Sequence, residues 1–591
     1  MQFFAHKNRV FFFLIAILAL SFFLRSYHFG DWLHFELDQS RDAKVVDLAL
    51  EGSFFDLPLL GPKAGGTFLR LAPGFYYLEY VSGLIFGASP IGMAWFVVIL
   101  SVLSTGCLYL FLRRGFAVSV SLGLTLLSAV SVYLVMYGRF AWNPNLIPFF
   151  TLVGFYALLR SVDHETTHRS RWFILAAASL AAATQFHFLA FLAIPTITAL
   201  FLLLKRPRFK LMTWVGALGI ALVLYSPMIM NEIATSGTNT SEFFGAITEK
   251  STKEDHNLIE KSIRNVSEFA LANVVILSGY EGATFPSVLV NEKEWGTVCD
   301  KRCDQGKGYG VVGVLFVLLG SLSLVLGWWR ARTKAISDFY LLSILWLLVS
   351  LILFLPLAYA IAPRFYLLCV PLGFVFLGSL FQNCPLSRKP RQIVFWAVLG
   401  FLITSNLFFL YQRFDELHRA GSEVVVSRPD RILKERVRVT YEQQLALVKY
   451  FKERSVETGY PIYLTSEPQY KRSIKYLMEK EDIAMSSFSM DNLYREGLYY
   501  MVLRTEGNLE SNYQKYLTVY DLKQVLPFGT LSVVELVPKE AALKAMRQDL
   551  SVLPKKADSK APPRYTWREF FAPGSGVLDA DEDAEEVLND N

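Results

Sequence analysis

The sequence predicts a polytopic α-helical membrane protein that carries a soluble α/β domain at its C-terminal end. Three observations lead there. Hydrophobic residues make up 53% and aromatic residues 15% of the 591 positions, and the mean hydropathy of +0.34 lies outside the soluble range. Apolar runs near the ~20 residues needed to span a bilayer recur from Val10 to about Pro371 and again to Tyr411. Beyond Tyr411 the pattern changes to short helix-like and strand-like pieces.

Lys and Arg gather in cytoplasmic loops. The basic loops Lys7 to Arg9, Arg113-Arg114, Arg160 to Arg171, Lys205 to Lys210, Arg330 to Lys334 and Arg388 to Arg391 are therefore assigned inside. The helices joining them are predicted over about 10–27, 90–112, 116–137, 144–160, 171–185, 187–204, 211–229, 309–329, 337–360, 363–382 and 393–411. That makes eleven, in a module expected to hold about 11 to 13 transmembrane helices. The first run has no small-residue cleavage site behind it and is read as a retained anchor. The short apolar piece Pro73 to Gly87 is read as re-entrant or interfacial, with a full crossing as the alternative. The net charge of +6 sits largely in short loops, so it speaks of topology and not of nucleic acid.

The expected organisation is a membrane module over 1–411 with outside loops at 30–72 and 230–308, then an extracytoplasmic α/β domain over 412–555. In that domain Tyr441 to Glu453 and Gln469 to Lys480 read as helices, and Pro461 to Thr465, Leu498 to Arg504 and Leu531 to Val537 as strands. Residues 556–591 lose the apolar pattern, close with Asp579, Asp581, Glu582, Asp583, Glu585 and Glu586, and are expected to be a disordered acidic tail.

The first outside loop is the most densely ionised stretch of the membrane half. There Asp38 is placed to cap a short amphipathic helix, Arg41 and Asp42 lie one turn along on its own face, and Val45, Val46, Ala49 and Leu50 form the apolar side. The bland alternative is a cap with a solvated ion pair. Other polar groups reach the same membrane face: Lys63, Arg70, Arg139, His187, Asn231, Glu232, Arg364 and Tyr366. Ionisable groups at that depth are costly unless something binds there. Two or more cations beside a carboxylate suit a lipid phosphate, the guanidinium fork taking the phosphate and the carboxylate staying free to accept a proton.

Two motifs point elsewhere. His164-Glu-Thr-Thr-His168 matches the zinc-protease pattern, but it falls in a short basic loop with no cleft and no third ligand, so a solvated loop is expected. Cys299 and Cys303 lie in an outside loop where a local disulfide is permitted, whereas Cys107, Cys369 and Cys384 belong to apolar spans or their ends.

Asp38-Gln-Ser-Arg-Asp-Ala43, Leu59-Leu-Gly-Pro followed by Ala-Pro-Gly-Phe-Tyr-Tyr77, Trp142-Asn-Pro-Asn145, Gln185-Phe-His187 and Arg364-Phe-Tyr-Leu-Leu368 together resemble membrane glycosyltransferases of the GT-C fold, over roughly residues 10–411. The nearest group is glycosyltransferase family 39, the protein O-mannosyltransferases and lipid A aminoarabinose transferases. The resemblance implies hexosyl or pentosyl transfer from a polyprenyl-phosphate donor to an envelope lipid, glycan or protein acceptor, on the extracytoplasmic side of the plasma (inner) membrane. It assigns catalysis to Asp38 as the base or acceptor-orienting group, at the aspartate of the family's Asp-Glu pair. Gln39 stands where that glutamate would be, so a divalent metal ion stays open with no ligand set assigned. Residues expected to bind substrate are Arg41, Asp42, Lys63, Arg70, Arg139, His187, Glu232, Arg364 and Tyr366. A lipid-linked sugar flippase is the alternative, but it would need charged or broken helices along a path through both leaflets. The inner halves of these spans are nearly free of ionisable residues.

This topology puts positions 52 and 510 outside and 164 inside. A single cysteine at each, treated with a membrane-impermeant reagent in intact cells, is expected to label at 52 and 510 and stay silent at 164. Labelling at 164 with silence at 510 would reverse the orientation.

Overall fold

In the computed structural model the described residues are 2–64, 69–250, 256–290, 295–361, 363–427, 430–491, 493–507, 509–546 and 564–572. Among them eight helices are long and apolar enough to cross a membrane: Asn8–Ser26, Pro90–Leu112, Asn143–Val162, Phe188–Lys205, Leu211–Ala234, Cys303–Trp329, Lys334–Leu357 and Arg388–Ala420. The other three predicted spans are helical but shorter or broken. These are Val118–Val130 with Val132–Tyr137, Arg169–Ala183, and Val370–Asn383 behind the 3-10 turn Pro363–Leu368. Pro73 to Gly87 becomes the helix Gly74–Phe86, whose 13 residues rise roughly 20 Å, short of the ~30 Å hydrocarbon core.

The break at Ser131 shows how a short span is tolerated. Backbone groups freed inside an apolar bundle must find partners. The Asn406 side chain accepts from Val132 N–H at 3.0 Å, and the Ser131 hydroxyl donates to the Ile276 carbonyl at 2.6 Å. Ile276 belongs to the 21-residue helix Leu258–Ser278. This element corrects the expectation of a loop over 230–308. The segment is largely helical, and Phe269, Ala270, Val275 and Ile276 are buried in the same core as the spans.

Beyond the bundle a five-stranded sheet runs in the order Met485–Ser487, Ile462–Ser466, Leu498–Arg504, Leu531–Pro538, Tyr520–Phe528. Its first three strands are parallel and the last two pair antiparallel. Side chains alternate across a strand. Ile462, Tyr500, Val502 and Val533 thus share a core with the helices Tyr441–Thr458 and Pro468–Lys480, while Tyr463, Tyr499, Met501 and Val534 form a second core on the other face. Sequence periodicity found both helices and three strands. It missed the two edge strands: Met485–Ser487 is three residues long, and most residues of Tyr520–Phe528 are exposed.

The expected boundary at 411 falls inside one continuous 33-residue helix, Arg388–Ala420. The sheet region is fastened back onto the loop over 30–72. Lys480 pairs with Asp47 at 2.5 Å and Glu51 at 3.1 Å, Lys44 with Glu479 at 3.0 Å, and Gln444 donates to the Phe35 carbonyl at 2.9 Å. Residues 564–572, inside the stretch expected to be disordered, also dock there, with Trp567–Phe571 helical. The acidic residues 579–586 lie outside the described residues. His164 to His168 form an exposed turn, His168 with φ at +55°, so the two histidines do not share the helical face that a zinc-protease site requires. Cys299 and Cys303 are disulfide-bonded, while Cys107, Cys369 and Cys384 are free.

His34 joins the two regions, its Nδ1 at 2.9 Å from Glu435 Oε1. Burial alone would lower its pKa, but the Glu36 and Glu435 carboxylates overcome this and raise it from 6.5 to about 9. Burial, with Glu435 nearby, pushes Glu36 up to about 7 against the pull of His34. Both groups hold protons more tightly in the folded than in the unfolded protein. The His34 contribution is therefore complete below about 6.5 and lost as pH rises through about 9, and the Glu36 shift has the same sign. The melting temperature of the full chain is expected to fall between pH 6.5 and 9, and His34→Gln to flatten that fall. An unchanged slope in His34→Gln would contradict this.

Candidate functional site

The loop helix is Leu37–Glu51 and its N-cap is Glu36, not Asp38. Gln39 Oε1 accepts from the Glu36 N–H at 3.1 Å, closing the first turn. That frees Asp38, one position inside the helix, from the capping role. Its Oδ1 accepts from Arg41 Nη1 at 3.1 Å and its Oδ2 from Trp142 Nε1 at 2.9 Å. The two carboxylates of this turn differ sharply. Asp38 keeps 36% of its side chain exposed, whereas Asp42 is fully buried, accepting from Arg41 Nε at 2.9 Å and Tyr76 OH at 3.2 Å. Burial would raise Asp38, but the guanidiniums of Arg41 and Arg364 and the Trp142 bond hold it below the usual carboxylate range. Burial wins at Asp42 and pushes it up to about 6.

Arg364 lies over the Trp142 ring, 5.1 Å from its centroid, and over Phe365 at 5.4 Å. Its turn is set by Tyr133, whose hydroxyl donates to the Pro363 carbonyl at 2.6 Å. One helical turn on, Tyr137 donates to the Ile432 carbonyl at 2.6 Å. The broken helix Val132–Tyr137 thus holds two turns side by side, one bearing Arg364 and the other bearing Arg431 and Lys434.

Between them opens a cavity of about 270 Å³ lined in part by Arg264, Glu268, Tyr366, Asp430, Arg431 and Lys434. Tyr366 puts a buried hydroxyl there with no hydrogen-bond partner among the described residues. Lys434 sits in the left-handed region at φ +61°, a conformation that costs a side-chain-bearing residue of order 1 kcal/mol. Burial lowers its pKa, as do Arg364, Arg431 and Arg264, with Glu268 opposing. Glu268 is shared between Arg264 at 2.7 Å and Arg431 at 2.7 Å. Arg364, by contrast, pairs with no carboxylate among the described residues. Clustered cations with an unused fork and an unused hydroxyl are donors suited to a phosphate.

The remaining predicted residues separate by surroundings. Arg139 does not face the site. It is buried and donates to the carbonyls of Leu24 at 3.0 Å, Arg25 at 3.1 Å and Tyr27 at 2.7 Å, closing the C-terminal end of the first helix. Glu232 accepts from the N–H and hydroxyl of Thr240, at 3.0 and 2.6 Å, at the start of the helix Thr238–Lys250. His187 caps Phe188–Lys205 through Leu189 N–H at 3.1 Å and packs edge-on against Phe365, beside Arg364. Lys63 and Arg70 face each other across an antiparallel bridge, and Arg70 is buried with its backbone tied to Asn239. Arg41, Asp42, Arg364 and Tyr366 are therefore the predicted residues grouped around Asp38 and the cavity. Sequence reasoning missed Arg264, Arg431 and Lys434. The one signal available was the basic run Arg431 to Arg438 after the last span, and it carries no period or motif.

His34, Glu36 and Glu435 have ligand-type atoms within 4.8 Å of one another. They do not suit a metal ion. His34 is held protonated, Glu36 accepts from Gln469 at 2.7 Å, and Glu435 accepts from Arg438 at 2.6 Å, so the donors already answer one another.

Residues 71–230 match the family model of the dolichyl-phosphate-mannose-protein mannosyltransferase. Among solved structures, ArnT from Cupriavidus metallidurans in the apo state matches with a TM-score of 0.52 at 11% identity, over 91% of this chain and 99% of that one. The same protein bound to undecaprenyl phosphate matches with a TM-score of 0.55 at 10% identity and the same coverage. The chain therefore has the GT-C fold that its residue pattern resembles. No curated protein sequence matches it.

Lys434→Gly relieves the left-handed strain, so its melting temperature is expected to equal or exceed the parent's. Arg139→Ala strips three helix-end carbonyls of their donor and is expected to lower it clearly, each lost charged hydrogen bond costing about 1.5–3 kcal/mol. The opposite ranking would contradict these assignments.

Proposed function

We propose that this chain is an integral membrane glycosyltransferase that moves a sugar from a polyprenyl-phosphate donor to an extracytoplasmic acceptor with inversion at the sugar. The observation that carries the reading is the juxtaposition at Trp142. This ring accepts the Arg364 guanidinium on its face and donates to the partly exposed Asp38 carboxylate. An anion-binding fork and a proton-accepting carboxylate thus meet at one indole, the fork on its face and the carboxylate at its N–H edge, a pairing suited to a leaving phosphate and an attacking hydroxyl.

In this reading Arg364, Lys434 and Arg431 take the donor phosphate and the Tyr366 hydroxyl donates to it. The acceptor hydroxyl oxygen forms a bond to the anomeric carbon as that carbon's bond to the phosphate oxygen breaks, and its proton passes toward Asp38. A single displacement inverts once. The cations offset the negative charge growing on the departing phosphate. They also couple the two halves of the reaction. Arg364 depresses the Asp38 pKa while its charge is uncompensated, and a phosphate at Arg364 relieves part of that depression and makes Asp38 a better proton acceptor once the donor is in place. The family match over 71–230 and the fold shared with ArnT, one structure of which holds undecaprenyl phosphate, support the donor class. The loop charges support an orientation with this site outside the cytoplasm, in the plasma (inner) membrane. Envelope lipid, glycan or protein is the acceptor class that a site on that side would meet.

Asp38→Asn leaves the helix N-cap in place and keeps an oxygen for Trp142. A folded protein is expected, still binding undecaprenyl phosphate, with transfer reduced ~10²–10⁴-fold, the usual worth of a general base. Arg364→Lys keeps the charge but loses the two-pronged geometry, and is expected to weaken undecaprenyl phosphate binding with little change in melting temperature. Near-parental transfer by monodisperse, donor-binding Asp38→Asn protein would rule out the role given to Asp38.

A further inference from the structure

We infer that the C-terminal segment 564–572 is part of the substrate site and that Arg564 is an anion-binding residue within it, which deepens and rests on the transferase reading above. The segment reaches the first outside loop from more than 500 positions away and is fastened at several points. Thr566 bridges Pro58, Leu59 N–H donates to the Tyr565 carbonyl at 2.8 Å, and Tyr565 N–H donates to Asn231 Oδ1 at 3.0 Å. The Trp567 indole donates to Tyr77 OH at 2.9 Å and stacks on Phe54, while Arg568 forks onto Asp56 at 2.5 and 2.9 Å. Thr566 and Glu569 close a capping box that starts the terminal helix.

This docking brings Arg564 into the surroundings of Tyr76. There the Tyr76 hydroxyl, bonded to Asp42, lies within the electrostatic reach of Arg41, Arg70 and Arg564. Arg41 is committed to Asp38 and Asp42. Arg564 makes no ion pair among the described residues, and its Nε is buried without a hydrogen-bond partner, a costly state for a guanidinium unless a ligand completes it. Arg70, which also acts on Tyr76, lines an apolar cavity of about 270 Å³ with Leu71, Phe188, Phe191 and Phe243. The ligand chemistry that fits is a phosphate or carboxylate carried on an apolar body, and both the donor and an amphiphilic acceptor have it.

The test uses full-length Arg564→Ala and Arg564→Lys beside Asp38→Asn. Undecaprenyl phosphate affinity is measured in nanodiscs of zwitterionic lipid. Transfer is measured by mass spectrometry of envelope glycans and lipids after each variant is returned to cells lacking the protein. Arg564→Ala is expected to melt with the parent and to lose about tenfold to a hundredfold in transfer, the worth of one charge-assisted hydrogen bond, with partial recovery in Arg564→Lys. Unchanged undecaprenyl phosphate affinity places the anion on the acceptor, whereas an equal loss of affinity would put the donor phosphate at Arg564 and overturn its assignment to Arg364 and Lys434. Transfer by Arg564→Ala within twofold of the parent, or losses in both Arg564 variants that only track a lower melting temperature, overturns the inference. Transfer that survives Asp38→Asn sinks the underlying reading instead.

Discussion

One buried carboxylate holds the site together. Asp430 is 1% exposed and accepts from Arg413 through both nitrogens at 3.1 and 3.2 Å, from Arg438 at 2.5 Å, and from the N–H groups of Ile432 and Leu433 at 2.9 and 3.0 Å. An unpaired charge at that depth would cost several kcal/mol, so the arrangement is all or nothing. With Asp430 in place, the chain after the last span is bent back on itself. Arg431 and Lys434 then face the cavity, and Glu435 reaches His34 in the loop over 30–72. The same ion cluster that ties the sheet region to the membrane module therefore builds the cationic wall of the candidate site. The left-handed backbone of Lys434 is the local cost of that bend.

The cations around Asp38 come from distant stretches of the chain: Arg41 bonds it directly, Arg364 lowers its pKa and also acts on Lys434, and Lys434 lines the cavity with Arg431 and Arg264. The break at Ser131 makes this possible, because the short helix behind it carries Tyr133 and Tyr137 to the two turns that bear the cations. A continuous span there would have left neither turn supported.

Much of this was legible in the residues, and the failures have specific causes. The apolar runs located every predicted helix, because a bilayer demands a length that composition reveals. Asp38, Arg41 and Arg364 stood out because ionised groups at span ends are rare enough to notice, whereas Trp142 entered only within the Trp142-Asn-Pro-Asn145 motif. Arg139 looked the same in sequence, yet it serves helix-end carbonyls. No spacing rule separates an arginine that closes a helix from one that lines the candidate site. Leu258–Ser278 was passed over because its first turns carry Glu260, Lys261 and Arg264, which break the apolar run although its buried stripe is intact. Lys434 and Arg564 were missed for a third reason. Each lies in a polar stretch without period, and only the tertiary contacts of Asp430 and Trp567 give those stretches a place.

The proposed reaction rests on a donor phosphate held by Arg364 beside Trp142, the ring whose N–H also holds Asp38. Determining the structure of the full chain in lipid nanodiscs with undecaprenyl phosphate tests it most directly. Phosphate oxygens are expected within about 2.7–2.9 Å of nitrogens of Arg364 and Lys434, with the Asp38 carboxylate making no contact to the phosphate. A phosphate found instead between Arg41 and Arg70, with Arg364 and Lys434 making no contact to it, would contradict the account.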